Sequence, residues 1–220
     1  MLIQETLSPG LAYTGDFETH VTVETLDEAD LERFTQVCQA LQVHCVLIEL
    51  ARGVVRSQPM TRSTFQGTLP ECHQAALALA ERLRTHGFSV SRVKIEAAPW
   101  NEDLPETDRE AQRLPSGNYF EYHLKLILPM GNPLGDLQRV CESHGAHLSA
   151  NAFKHREDGR CERFVTLRCP GLGRQSANAR AQALETSLAG LGHEMGRLVC
   201  ERSEEHTSEL QSPCNLVCRL

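Results

Sequence analysis

Aromatic residues are scarce in this chain, at 5% of 220 residues, which leaves little material for a platform on which nucleic-acid bases stack. Positive charge is short too. Against 29 Asp and Glu stand 22 Lys and Arg, a formal net charge of -7 at pH 7, so a broad electrostatic footprint for nucleic acid is excluded while a local basic pocket is not. No apolar run approaches membrane-spanning length, and the opening Met1-Leu2-Ile3-Gln4-Glu5 lacks the basic start and apolar core of a secretion signal. The cysteines are scattered, with no C-x-x-C spacing. That pattern argues against a disulfide framework and for reduced thiols. Together these absences lead to the expectation of a cytoplasmic protein with no membrane partner.

What the chain does have is an internal echo. Phe17-Glu18-Thr19-His20-Val21-Thr22-Val23 is followed much later by Phe120-Glu121-Tyr122-His123-Leu124-Lys125-Leu126. The same fixed offset pairs Val37-Cys38 with Val140-Cys141 and His44 with His147. A slightly larger offset then pairs Thr61 with Thr166, Gly87 with Gly192, Arg92 with Arg197 and Glu96 with Glu201. The extra residues fall in the polar run His155-Arg156-Glu157-Asp158-Gly159-Arg160, where a longer hairpin turn absorbs them. Two long copies read as two fused lobes rather than as a solenoid.

Each copy reads as βαββαβ. Alternation from Phe17 to Val23 marks a strand with one buried face, and Asp27 caps a helix running to about Val43. Cys45–Leu50 and a less regular stretch from Arg56 to Phe65 follow as strands, with a turn at Arg52-Gly53. Thr68 and Glu71 form a capping box for a second helix that Gly87 stops, and Ser89–Glu96 is the fourth strand. The second copy runs Phe120–Leu128, Leu134–Gly145, His147–Phe153, Cys161–Arg168, Ser176–Leu191 and Met195–Glu201. The expected fold is therefore α+β, a tandem duplication of a ferredoxin-like unit with both helices on one sheet face. The lobes are residues 17–98 and 119–201. Residues 1–16 read as a lead-in, and the Pro-, Glu- and Asp-rich residues 99–118 as a surface linker.

The sheet face that the helices leave open is where chemistry is expected. In such a unit the first strand lies between the third and fourth, which predicts Glu18, His20 and Thr22 beside Arg92, Lys94 and Glu96, with Thr61 on the other flank. The second lobe offers Glu121, His123 and Lys125 beside Arg197, Glu201, Thr166 and Arg168. Histidine titrates near neutral pH, and neighbouring hydroxyls with Lys or Arg suit an anionic, phosphate-like group. His20-Val21-Thr22-Val23 resembles the His-x-Thr-hydrophobic motif of the two-histidine phosphoesterases, which carry one copy on each of two related lobes. The resemblance implies that His20 and His123 act as general acid and base on a phosphodiester, without a metal or other cofactor, while Thr22 holds a phosphate oxygen. In the second copy Lys125 stands in the threonine's place, a departure from the motif that substitutes a point charge for a hydroxyl. The resulting expectation is a small anionic or phosphorylated ligand, a nucleic-acid end included, bound between the lobes.

A different class of function stays open beside it. Each histidine also reads as the satisfied partner of a nearby acid, with Glu18 or Glu96 available to His20, in a noncatalytic regulatory or interaction module. The pairs Cys38/His44 and Cys141/His147 have zinc-like composition, but the cysteines sit on helix faces directed at a core. Gly171-Leu172-Gly173 is too short for a dinucleotide fingerprint. Finally, residues 202–220 resemble a translated sequencing-library adapter, through Arg202-Ser203-Glu204-Glu205-His206-Thr207-Ser208 and Leu216-Val217-Cys218-Arg219-Leu220. They are expected to add no packed structure.

Overall fold

A computed structural model describes residues 14–50, 56–115, 117–151 and 156–207, with side chains as far as Ser203. The lead-in before residue 14, the turn at Arg52-Gly53, the end of the strand expected at Phe153 and the tail beyond residue 207 lie outside the described residues. The chain is mixed α+β. Its first half runs β1 (Thr14–Val23), α1 (Glu28–Ala40), β2 (His44–Leu50), β3 (Ser57–Thr68), α2 (Leu69–Thr85) and β4 (Val90–Ala97). After the single turn α3 (Asp108–Ala111) come β5 (Asn118–Pro129), α4 (Gly135–Ser143), β6 (Ala146–Asn151), β7 (Arg160–Pro170), α5 (Arg174–Ala189) and β8 (Glu194–Thr207). Two compact units divide chiefly between Leu104 and Pro105, with Glu49–Ala51 grouped in the second and the residues from Ser203 in the first.

In the first unit the strand order is β2-β3-β1-β4. β1 pairs antiparallel with both β3 and β4. Its period-two pattern sends Phe17, Thr19, Val21 and Val23 inward. Val21 and Val23 join Phe34 and Cys38 of α1, Ala76, Ala80 and Leu83 of α2, and Phe88, Val90 and Val93 in one core. Burying its Val, Leu and Phe side chains stabilises by about 1.5–3 kcal/mol each. The Phe34 and Phe88 rings meet edge to face at 5.2 Å. Helix α1 starts where the Asp27 carboxylate accepts from the Asp30 amide at 2.8 Å. It stops short of Val43 because Gln42 takes a positive φ of 59° and the Val43 amide turns back to the Cys38 carbonyl. At the start of α2, Thr68 and Glu71 make both halves of a capping box.

The second unit has the order β6-β7-β5-β8. Phe120, Tyr122, Leu124, Leu126 and Leu128 line the buried face of β5. Across from the first three stand Cys169, Leu167 and Val165 of β7, and Leu137, Cys141, Ala177, Ala181, Leu184 and Leu188 supply the helix side of the core.

The stretch expected as a surface linker is more integrated than its composition suggests. Within the first unit, Asn101 is buried; its side chain accepts from the Asp16 amide at 3.0 Å and donates to the Asp16 carbonyl at 2.9 Å. Within the second, Pro105–Asp108 cap a helix that has no cap of its own. Gly173 at the N-terminus of α5 makes no side-chain bond, so Asp108 accepts from the Gly173 amide at 2.8 Å and the Pro105 carbonyl accepts from the Arg174 amide at 3.0 Å. A Cβ on Gly173 would lie 2.3 Å from the Thr107 carbonyl carbon. Close backbone approach, not nucleotide binding, accounts for that glycine. Strand β8 also runs past Glu201 to Thr207. Arg202 and Ser203 are fully buried, with the Arg202 guanidinium 4.9 Å from the Phe120 ring centroid.

Candidate functional site

The even-numbered residues of β1 form the site in the first unit. The register sets Glu18 opposite Glu96, His20 opposite Lys94 and Thr22 opposite Arg92, so all six belong to the face away from the core. On the β3 side, Thr19 pairs with Ser63 and Thr22 with Met60. Counting between those pairs puts Arg62, not Thr61, across from His20. Thr61 contributes differently: its hydroxyl accepts from the Val21 amide at 3.2 Å, and its carbonyl lies 3.2 Å from His20 Nδ1.

Both ring nitrogens of His20 therefore face acceptors. A carbonyl oxygen only accepts, so Nδ1 is a donor. Nε2 lies 2.9 Å from Glu96 Oε2 and 3.2 Å from Glu18 Oε1. Burial pulls the His20 pKa down, but the charge of Glu96 and the bonds to Glu18 and Glu96 outweigh it and raise the pKa to about 9. The far carboxylate oxygens are occupied as well. Lys94 Nζ bonds Glu96 Oε1 in a buried ion pair, and Arg62 Nε lies 2.7 Å from Glu18 Oε2. Glu18 opposes burial, which raises its pKa, with bonds to His20 and Arg62, and the net effect is a lowered value.

The second unit carries a looser relative of this cluster. His123 Nε2 lies 3.3 Å from Glu201 and 3.6 Å from Glu121, and Nδ1 is 3.0 Å from the Thr166 hydroxyl. Burial again lowers the pKa, and bonds to Glu121 and Glu201 override it, raising His123 to about 10. Arg168 Nε donates to Glu121 at 2.8 Å, and Lys125 reaches Glu162 at 3.3 Å. His147 on β6 pairs with Thr166. Its pKa is lowered, by burial first and by Arg168 second.

Of the residues singled out from sequence, His20, Glu18, Lys94 and Glu96 are brought together in the first unit, with Thr61 joining through its backbone. His123, Thr166, Glu121, Arg168 and Glu201 gather in the second. Thr22 and Arg92 lie further along the face from His20, and the Thr22 hydroxyl is buried without a hydrogen-bond partner among the described residues. Lys125 engages Glu162 rather than His123, and Arg197 is exposed. Arg62 and Glu162 were not anticipated as members. The signal for Arg62 was present in the alternation of Met60, Arg62 and Thr64 along β3, once Thr19 is set opposite Ser63.

For a metal, Glu18, His20 and Glu96 each offer one ligand atom within 4.8 Å of the others. Cys38 is directed into the core while His44 is exposed, so that pair does not converge. Comparison with protein-family models and with curated proteins gives no match for this chain.

Proposed function

We propose that the chain is a noncatalytic regulatory or interaction module built from two duplicated ferredoxin-like lobes, in which the two His–carboxylate clusters are charge-balanced polar layers. The observation that carries this reading is the environment of His20. With a carbonyl at one nitrogen and two carboxylates at the other, the ring is held as a double donor. A general base needs a free lone pair, and such a ring has none at neutral pH. Binding of phosphate at the same place also meets opposition, because each cation near it already faces a carboxylate: Lys94 with Glu96, Arg62 with Glu18.

A second reading keeps the anionic ligand. The second unit favours it, since His123 and Lys125 have side chains 30% and 39% exposed and Thr166 supplies a hydroxyl. In that reading His123, Lys125, Thr166 and Arg168 hold a phosphate-like group.

Turnover of a linear and a cyclic phosphodiester by the full chain separates the two. The module reading expects no hydrolysis above buffer and no phosphate-dependent rise in melting temperature. Hydrolysis that falls by about 10²-fold or more in both His20→Gln and His123→Gln, with folding intact, overturns it in favour of paired acid–base catalysis.

A further inference from the structure

We infer that Glu18, His20 and Glu96 form a binding site for a divalent transition cation, with His20 Nε2, Glu18 Oε1 and Glu96 Oε2 as ligands. The geometry is that of a coordination sphere already gathered. Ligands held at roughly 2.0–2.2 Å from a metal lie about 2.9–3.5 Å from one another, and His20 Nε2 is 3.2 Å from Glu18 Oε1 and 2.9 Å from Glu96 Oε2. All three atoms fall within 4.8 Å of one another. The cation replaces the single proton that Nε2 now shares with the two carboxylates.

A second observation is independent of those distances. Metal-ligating histidines almost always donate their other ring nitrogen to a backbone carbonyl or carboxylate, which fixes ring orientation and tautomer. His20 Nδ1 faces the Thr61 carbonyl at 3.2 Å, a contact that leaves Nε2 as the ligating atom. The carboxylates have outer partners as well: Arg62 holds Glu18 Oε2 at 2.7 Å and Lys94 holds Glu96 Oε1. Each ligand is thus oriented by a group outside the triad. Those partners lie on strands β3 and β4, rigid elements rather than loops.

One imidazole and two carboxylates suit a cation of intermediate hardness such as Mn²⁺ or Zn²⁺ more than a soft one. Because Arg62 and Lys94 neutralise part of the carboxylate charge, affinity is lower than at an uncompensated pair. Mn²⁺ is the better probe, since thiols elsewhere in the chain compete for zinc.

The test is a Mn²⁺ titration of the full, chelator-treated chain, followed by loss of the free-ion electron paramagnetic resonance signal. Site-selective broadening of the His20 ring resonances in NMR is read in parallel. The expected result is one tight Mn²⁺ per chain, broadening of the His20 ring at substoichiometric metal, and a Kd at least about tenfold weaker in Glu18→Gln. Glu18 is the least buried ligand, and its near-isosteric amide keeps the shape of the site. No saturable Mn²⁺ binding, binding that Glu18→Gln leaves unchanged, or a His20 ring that stays sharp while metal binds elsewhere overturns the inference. The wild-type broadening decides the matter even where the variant fails to fold.

Discussion

The two units present the same Glu–His–Glu arrangement with different supports, and the difference shows what holds each histidine. In the first, His20 is gripped by a backbone carbonyl and by carboxylates at 2.9 and 3.2 Å, with Lys94 and Arg62 behind them. In the second, the carboxylates stand at 3.3 and 3.6 Å, a hydroxyl replaces the carbonyl, and Arg168 backs Glu121. At the position matching Lys94, the larger offset that pairs Glu96 with Glu201 brings Val199, an exposed residue. The ring is therefore over-determined in one unit and partly open in the other. A hydroxyl accepts or donates as needed, so the second cluster tolerates a change of protonation that the first does not.

That contrast breaks first at the fourth-strand carboxylates. Glu96→Ala strips partners from both His20 and the buried Lys94 and should cost about 3–5 kcal/mol, the range for breaking a buried ion pair. Glu201→Ala at its more open counterpart should cost about 1–3 kcal/mol. Urea unfolding of both variants checks the ordering, and equal losses would mean the two clusters are equally supported.

Helix capping gives a smaller contrast. α5 depends on the backbone of Pro105–Asp108 pressed against Gly173, so Gly173→Ala should destabilise by about 1–3 kcal/mol through overpacking. α2 carries its own box, and Thr68→Ala should cost about 1 kcal/mol. Thermal melts of the two variants, compared with the parent, measure both.

The pH response is the subtlest effect and its sign follows from the raised pKa values. A histidine whose folded pKa exceeds its unfolded value of about 6.5 stabilises fully below that pH. The stabilisation is lost as pH rises through the folded value, about 10 for His123 and about 9 for His20. Metal-free chain should thus lose stability between about pH 6.5 and 10. His123→Gln should flatten the upper part of that decline, and a stability that instead rises over this window would contradict the assignment of both rings as cations.

Much of this was legible in the sequence because alternation is a strong signal. Phe17 to Val23 announces which face of β1 is buried, and with strand order assumed it already sets His20 beside Glu18, Lys94 and Glu96. What resisted reading was register on the β3 side. Thr61 and Thr166 align by sequence offset, yet Thr166 reaches its histidine by hydroxyl while Thr61 does so by carbonyl. A shift of one residue exchanges the two faces of a strand, and nothing local to Arg62 fixes that choice. The capping role of Pro105–Asp108 was hidden for another reason. Polar, proline-containing stretches look alike whether solvated or docked, and the need they fill lies at Gly173, far along the chain. Resemblance alone suggests no packing for the adapter-like stretch, whereas Arg202 is buried against Phe120.

The proposed module rests on His20 being a double donor held by carboxylates rather than a base. The most direct measurement is the ¹⁵N NMR spectrum of its imidazole in metal-free chain near pH 7.5. Protons are expected on both Nδ1 and Nε2, with neither nitrogen showing the shift of an unprotonated imidazole. A neutral ring with one bare nitrogen at that pH would contradict it.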